Sequence, residues 1–140
     1  MENKTCTIVI PVRMGSSRLP KKPLKQIAGK PLLQWVIELA QNVNFHKSLV
    51  VLTEDKVIYD FVDKLGVKCF LTDKLHKNGT ERILEILDDI KSDFIMNLQG
   101  DEPLINPIDL RNLYETLKSS NVDIASICHE VDSLEAEDPS

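Results

Sequence analysis

The sequence predicts an α/β fold, a mostly parallel sheet with helices on both faces. Short β-branched runs alternate with helical patterns of about ten residues, the mark of βαβ units. The 140 residues make one domain, long enough to bury a core without disulfide or metal staples. Apolar residues are 42% and charged residues 28% of the chain, the balance of an ordinary globular protein, which excludes wholesale disorder and fibrous structure.

The elements follow in order. Residues 5–10 (TCTIVI) are a β-branched run that stops at Pro11. Residues 31–43 read as a helix: Pro31 suits the first helical position, and Leu32, Leu33, Val36, Ile37, Ala40 and Val43 recur at helical spacing. Residues 48–52 (SLVVL) form a second strand. Residues 55–65 form a second helix, with Val57, Ile58, Phe61, Val62 and Leu65 on one side and Gly66 as its stop. Residues 67–71 are a third strand. Asn78 caps the next helix, with Glu81 three positions on as in a capping box and an apolar stripe of Ile83, Leu84, Ile86, Leu87 and Ile90. Residues 93–98 (DFIMNL) are a fourth strand. Asn106 and Pro107 open a helix over 107–119, with Leu110, Leu113, Tyr114 and Leu117 inside. Residues 123–128 are expected to form a fifth strand, before a polar, acidic tail over 132–140. No repeat, low-complexity tract or interdomain linker interrupts the pattern.

Cys6, Cys69 and Cys128 are far apart and form no CxxC pair, so they read as small buried hydrophobes in strands, not as zinc or disulfide sites. No apolar run approaches the roughly 20 residues of a membrane span, and no signal peptide is evident, so a cytoplasmic location is expected.

Charge is unevenly spread. The net charge is −5, yet residues 1–30 carry +6 and the rest −11. No acidic residue lies between Arg13 and Lys30. A basic segment on an acidic protein suggests a local anion site and argues against a broad nucleic-acid surface.

Ligands of parallel sheets sit beyond the carboxyl ends of the strands. Three loops should open there together: 11–23, 72–79 and 99–105. The first reads PVRMGSSRLPKKPL. Gly15 lets backbone pass close to a ligand, and Arg13, Arg18, Lys21 and Lys22 offer charge to phosphates. It is neither a P-loop nor a GxGxxG fingerprint. Phosphate binding and a solvated basic loop both remain open. The second loop runs into HKNGTERI. His76 is either a base contact or general base, or neither; Asn78, Gly79 and Thr80 either meet a ligand or only cap a helix. Glu81 and Arg82 read as cap and surface charges. The third loop lies in NLQGDEPLI, where Asp101 is either a hard-cation ligand facing a triphosphate or part of a simple turn.

Taken in this order and spacing, the three motifs resemble the 3-deoxy-manno-octulosonate cytidylyltransferases, the CMP-Kdo synthetases of lipopolysaccharide assembly. The resemblance runs from Ile8 to the tail, and NLQGDEPLI is its most specific part. It implies the nucleotide-diphospho-sugar transferase type of α/β sandwich, and a reaction of CTP with Kdo that gives CMP-Kdo and pyrophosphate with Mg2+. By resemblance, Arg13 and Lys22 are the catalytic cations on the CTP phosphates. Met14, Gly15, Ser16 and Ser17 form the loop on the nucleotide. Asn78 and Gly79 hold the cytosine side, Gln99 meets nucleotide or sugar, and Asp101 binds the metal. CTP and a 3-deoxy sugar acid are the implied partners, with a homodimer in the full-length form and neither nucleic acid nor membrane.

Two departures from the family pattern stand out: Lys21 where glycine is usual, and Asn78 where serine is usual. Family members also continue well past the position of Ser140, into a part that carries a second metal carboxylate, most Kdo contacts and much of the dimer interface. Residues 1–140 are therefore expected to be the CTP-binding portion of a single domain cut short at its C-terminus. Asp132, Glu135, Glu137 and Asp138 read as a solvated tail, not a replacement for that carboxylate. The rival expectations are a related nucleotidyltransferase for another sugar acid and a non-catalytic nucleotide-binding fragment.

Overall fold

The computed structural model describes residues 3–15, 19–73 and 76–128. In chain order the elements are β1 (Cys6–Pro11), a small hairpin of β2 (Gln26–Ile27) and β3 (Lys30–Pro31), α1 (Leu32–Asn42), β4 (Ser48–Thr53), α2 (Lys56–Lys64), β5 (Lys68–Leu71), α3 (Gly79–Glu85), β6 (Phe94–Asn97) and α4 (Pro107–Ser119). Short 3-10 turns cover Lys22–Leu24 and Leu87–Asp89. The main sheet has the order β5-β4-β1-β6, and every neighbouring pair in it is parallel.

β1 is buried along its whole length because it is central and covered on both faces. Alternation divides its side chains. Cys6, Ile8 and Ile10 pack with Leu33 and Ile37 of α1, Ile58 and Val62 of α2, and Leu110 and Tyr114 of α4. Val9 faces the other way, with Val50 and Leu52 of β4 and Ile83 of α3. Helices thus cover both faces, three on one side and α3 on the other. Burying a side chain such as Ile8 or Ile10 contributes about 1.5–3 kcal/mol. Gly66, with φ of +72°, ends α2 as its C-terminal signal requires.

Several expectations need correction. Pro31 is not the first helical residue: it pairs with Gln26 across the hairpin and precedes α1 in an extended conformation, φ −56° and ψ 144°. Proline's fixed φ serves that conformation as well as a helical one. The stripe predicted after Asn78 is only partly internal: Ile83 and Ile86 are buried, Leu84 and Leu87 are exposed, because α3 stops at Glu85 and gives way to a 3-10 turn. Val57 likewise points outward.

The largest miss is the fifth strand. Residues 123–128 are irregular, Ile124 is 87% exposed, and Cys128 is exposed rather than buried in a strand. β-branched composition supplies propensity, but a strand exists only through its ladder. Residues 124–127 instead line a groove of about 600 Å³ together with β6 and, among the described residues, pair with no strand. Cys6 and Cys69 do sit in strands, and burial pushes their thiols up to about 11 and about 12. The tail over 132–140 lies outside the described residues. No helix among the described residues is long and apolar enough to cross a membrane.

Candidate functional site

The chain winds from β1 to β4 and β5 on one side, then returns to place β6 on the other side of β1. Connections leaving β1 and β6 therefore diverge, and this reversal opens a crevice at their carboxyl ends. The loops predicted to converge are those that flank it.

Two glycines bring the loops together. A Cβ on Gly79 would lie 2.8 Å from Pro11 Cγ, and one on Gly100 would lie 3.1 Å from Val12 Cβ. The end of β1 is thus pinched between the second motif and the third: a side chain at position 79 would force a shift, and one at position 100 would fit only if Val12 gave way by a few tenths of an ångström. Across the crevice, Lys22 Nζ donates to Asp101 Oδ2 at 2.7 Å. The pair is partly exposed, 37% and 50% by side chain, so solvent and ligands can reach both groups. Lys22 stands there because Pro23 lies in the first turn of the 3-10 segment, after Lys21 in the left-handed conformation, φ 59° and ψ 25°. That conformation is the physical reason a glycine would suit position 21.

The remaining residues fall around this pair. Arg13 is exposed just beyond β1 and has no ion-pair partner among the described residues. Met14 N–H donates to Asp55 Oδ2 at 2.7 Å, which anchors the loop to the start of α2; Gly15 follows, exposed. Ser16 and Ser17, predicted on the nucleotide, lie outside the described residues, as does Arg18. Gln99 is exposed and donates to Asn97 Oδ1 at 3.2 Å. Gln99, Asn97, Thr80 and Glu102 line the polar side of the groove beside β6.

Asn78 caps α3 as predicted: its Oδ1 accepts from Glu81 N–H at 2.9 Å, and Glu81 Oε2 accepts from Lys77 N–H at 2.8 Å. His76 hydrogen-bonds Glu85. That bond, reinforced by the Asp73 N–H, holds the Glu85 carboxyl below its usual range. No cluster of three or more metal-binding side chains occurs among the described residues. Asp101 is the carboxylate the crevice presents beside Lys22.

Comparison with known proteins bears directly on this arrangement. The family model described as cytidylyltransferase matches residues 7–140. The chain belongs to the cytidylyltransferase family. Among curated proteins, the chain is 40% identical over 134 residues to the 3-deoxy-manno-octulosonate cytidylyltransferase of Escherichia coli, covering 95% of the chain and 54% of that protein. It is 39% identical to that of Haemophilus influenzae (strain PittGG), covering 86% and 48%. Among solved structures it resembles a CMP:2-keto-3-deoxy-manno-octonic acid synthetase complexed with CTP, with a TM-score of 0.78 and 41% identity over 81% of this chain and 47% of that one. A cytidylyltransferase from Leptospira borgpetersenii serovar Hardjo-bovis gives 0.73 at 28% identity, covering 84% and 51%. The chain spans about half the length of the curated relatives it matches.

Sequence reasoning missed two residues in this chain. Asp55 precedes α2, a place where a carboxylate usually caps, but its side chain holds the Met14 loop instead. Arg82, read as a surface charge, is 3% exposed. It donates to Thr72 Oγ1 at 2.7 Å and to Glu54 Oε2 at 3.2 Å. The sequence signal for Arg82 was its position four residues before Ile86, a member of the apolar stripe on the same helix face.

Proposed function

We propose that this chain is the CTP-binding portion of a single-domain cytidylyltransferase that moves CMP from CTP to 3-deoxy-manno-octulosonate, releasing pyrophosphate. The observation that carries the reading is the Lys22–Asp101 pair at 2.7 Å, set at the switch point between β1 and β6. The likeness to a synthetase complexed with CTP supports the nucleotide, and the names of the curated relatives support the acceptor.

In this reading Arg13 and Lys22 bind the triphosphate, and Lys22 turns from Asp101 to phosphate as CTP enters. A hydroxyl of the sugar acid attacks the α-phosphorus in line, the bond from that phosphorus to the bridging oxygen breaks, pyrophosphate leaves with the bond's electron pair, and the hydroxyl proton is released to water. Lys22 and Arg13 stabilise charge on the transferring and leaving phosphates. Met14 and Gly15, with Ser16 and Ser17, lie along the nucleotide; Asn78 and Gly79 lie on the cytosine side; Gln99 meets nucleotide or sugar.

Cytidylyltransferases generally use a divalent metal. Asp101 fits Mg2+: it is a half-exposed hard oxygen donor that already holds one cation, and Mg2+ takes one or two carboxylates and fills its shell with phosphate and water. Held there, Mg2+ would supply Lewis-acidic charge to the phosphates. A homodimer of the full-length form and a cytoplasmic setting complete the reading.

Calorimetric titration with CTP and Mg2+ tests it. Saturable binding weakened at least tenfold by Lys22→Ala and by Asp101→Asn is expected; unchanged affinity in either variant removes that residue from the site. A second reading is a nucleotide-binding module without turnover. CTP binding without pyrophosphate release, across a panel of sugar acids, would select it. Release with a different sugar acid would instead move the acceptor.

A further inference from the structure

Among the described residues Arg82 is the charged side chain that is fully buried. A buried guanidinium is costly unless it is paired and hydrogen-bonded, and an apolar replacement is often no less stable. Its place in this fold points to another use. Its two partners lie just beyond two different strands: Glu54 follows β4 and Thr72 follows β5. The ends of those strands are themselves tied, Thr72 N–H donating to Thr53 O at 2.7 Å. Arg82 also sits one helical turn after Asn78, and its N–H donates to Asn78 O at 3.3 Å. Three residues before Arg82 and in the same turn, Gly79 rests against Pro11 at the end of β1. The first turn of α3 is therefore held from two directions, by close approach to β1 and by a charged fork to the ends of β4 and β5.

We propose that Arg82 is a positioning residue which, through Glu54 and Thr72, sets Asn78 and Gly79 relative to Pro11 and so determines which base the nucleotide site accepts. The proposal rests on the reading that CTP binds with its base at Asn78 and Gly79. A planar, always-charged fork suits the task, since it can hold a carboxylate and a hydroxyl in one fixed geometry where lysine offers only a point charge.

The test compares CTP, UTP and inorganic tripolyphosphate binding in Mg2+, by calorimetry, on the full 140-residue chain, with far-UV circular dichroism to verify folding. The wild-type chain should prefer CTP. Arg82→Met and Glu54→Gln should each lower the CTP-over-UTP preference at least fivefold and leave tripolyphosphate affinity within twofold. Arg82→Lys should recover part of the preference. Folded variants that keep the wild-type preference overturn the positioning role, as does a parallel loss of tripolyphosphate affinity, which marks general loosening. Should Arg82→Met fail to fold, Glu54→Gln and Thr72→Val decide by the same criteria. A wild-type chain without preference for CTP overturns the functional reading itself, a result distinct from unaltered variants.

Discussion

Lys21 and Ala28 are the non-glycine residues with positive φ among those described, at 59° and 48°. Each L-residue in that region costs about 1–2 kcal/mol. Ala28 and Gly29 form the two-residue turn of the β2–β3 hairpin, where asparagine followed by glycine is the favoured pair. Ala28→Asn should therefore stabilise the chain by about 0.5–1 kcal/mol, seen as a higher urea midpoint at unchanged slope. An unchanged or lower midpoint would show that the turn is not strained. Gly79→Ala should act oppositely, because its Cβ would meet Pro11 at 2.8 Å. A loss of about 1–3 kcal/mol is expected, as for other overpacked sites, with weaker CTP binding alongside. Among the charged residues, Lys22→Ala and Asp101→Asn should each cut turnover of a full-length form by about 10²–10³, the usual effect of removing one preorganised charge. Near-normal turnover would end the assigned role of that residue.

At the scale of elements, β6 is keyed to β1 at the amino edge of the sheet. Asp93 accepts from Thr5 N–H at 2.7 Å and from Thr5 Oγ1 at 2.9 Å, and these bonds hold its carboxyl below the usual aspartate range. The stability this gives is present above the ordinary aspartate value of about 4 and is lost as pH falls through the lower folded value. Asp93→Asn should be less stable than the parent at pH 7, and the difference should shrink under more acid conditions. Urea unfolding at both pH values checks this, and a gap that stays constant into acid contradicts it. α3 shows how far local signals reach. Asn78 and Glu81 announced its start: the structure makes the Asn78 cap to Glu81 N–H, while the Glu81 carboxylate takes the N–H of Lys77 rather than that of Asn78. Its end was not legible, since Leu84 and Leu87 continue the apolar pattern although only Ile83 and Ile86 find core to pack against. The burial of Arg82 was hidden for the same reason. A charged residue on a seven-residue helix reads as surface unless the strand ends that receive it are known.

For the whole molecule, the alternation of patterns was enough to predict a parallel sheet with helices on both faces. The topology was not readable residue by residue. Nothing local to residues 94–97 tells that β6 pairs with β1, yet that pairing creates the crevice. The convergence of the three motifs was legible only as an expectation from sheet geometry. The contacts that realise it, Gly79 on Pro11, Gly100 on Val12 and Lys22 on Asp101, are long-range packing facts. The expected strand over 123–128 failed on the same ground: propensity was present and a pairing edge in register was not.

The central claim is that three loops, far apart in sequence, act on one nucleotide. Backbone amide NMR during titration with CTP and Mg2+ tests this most directly, by following Met14, Gly79 and Asp101 in one sample. The account predicts that all three resonances move together and saturate at the same CTP concentration. Movement of one loop while the other two stay still, or saturation at separate concentrations, would contradict it.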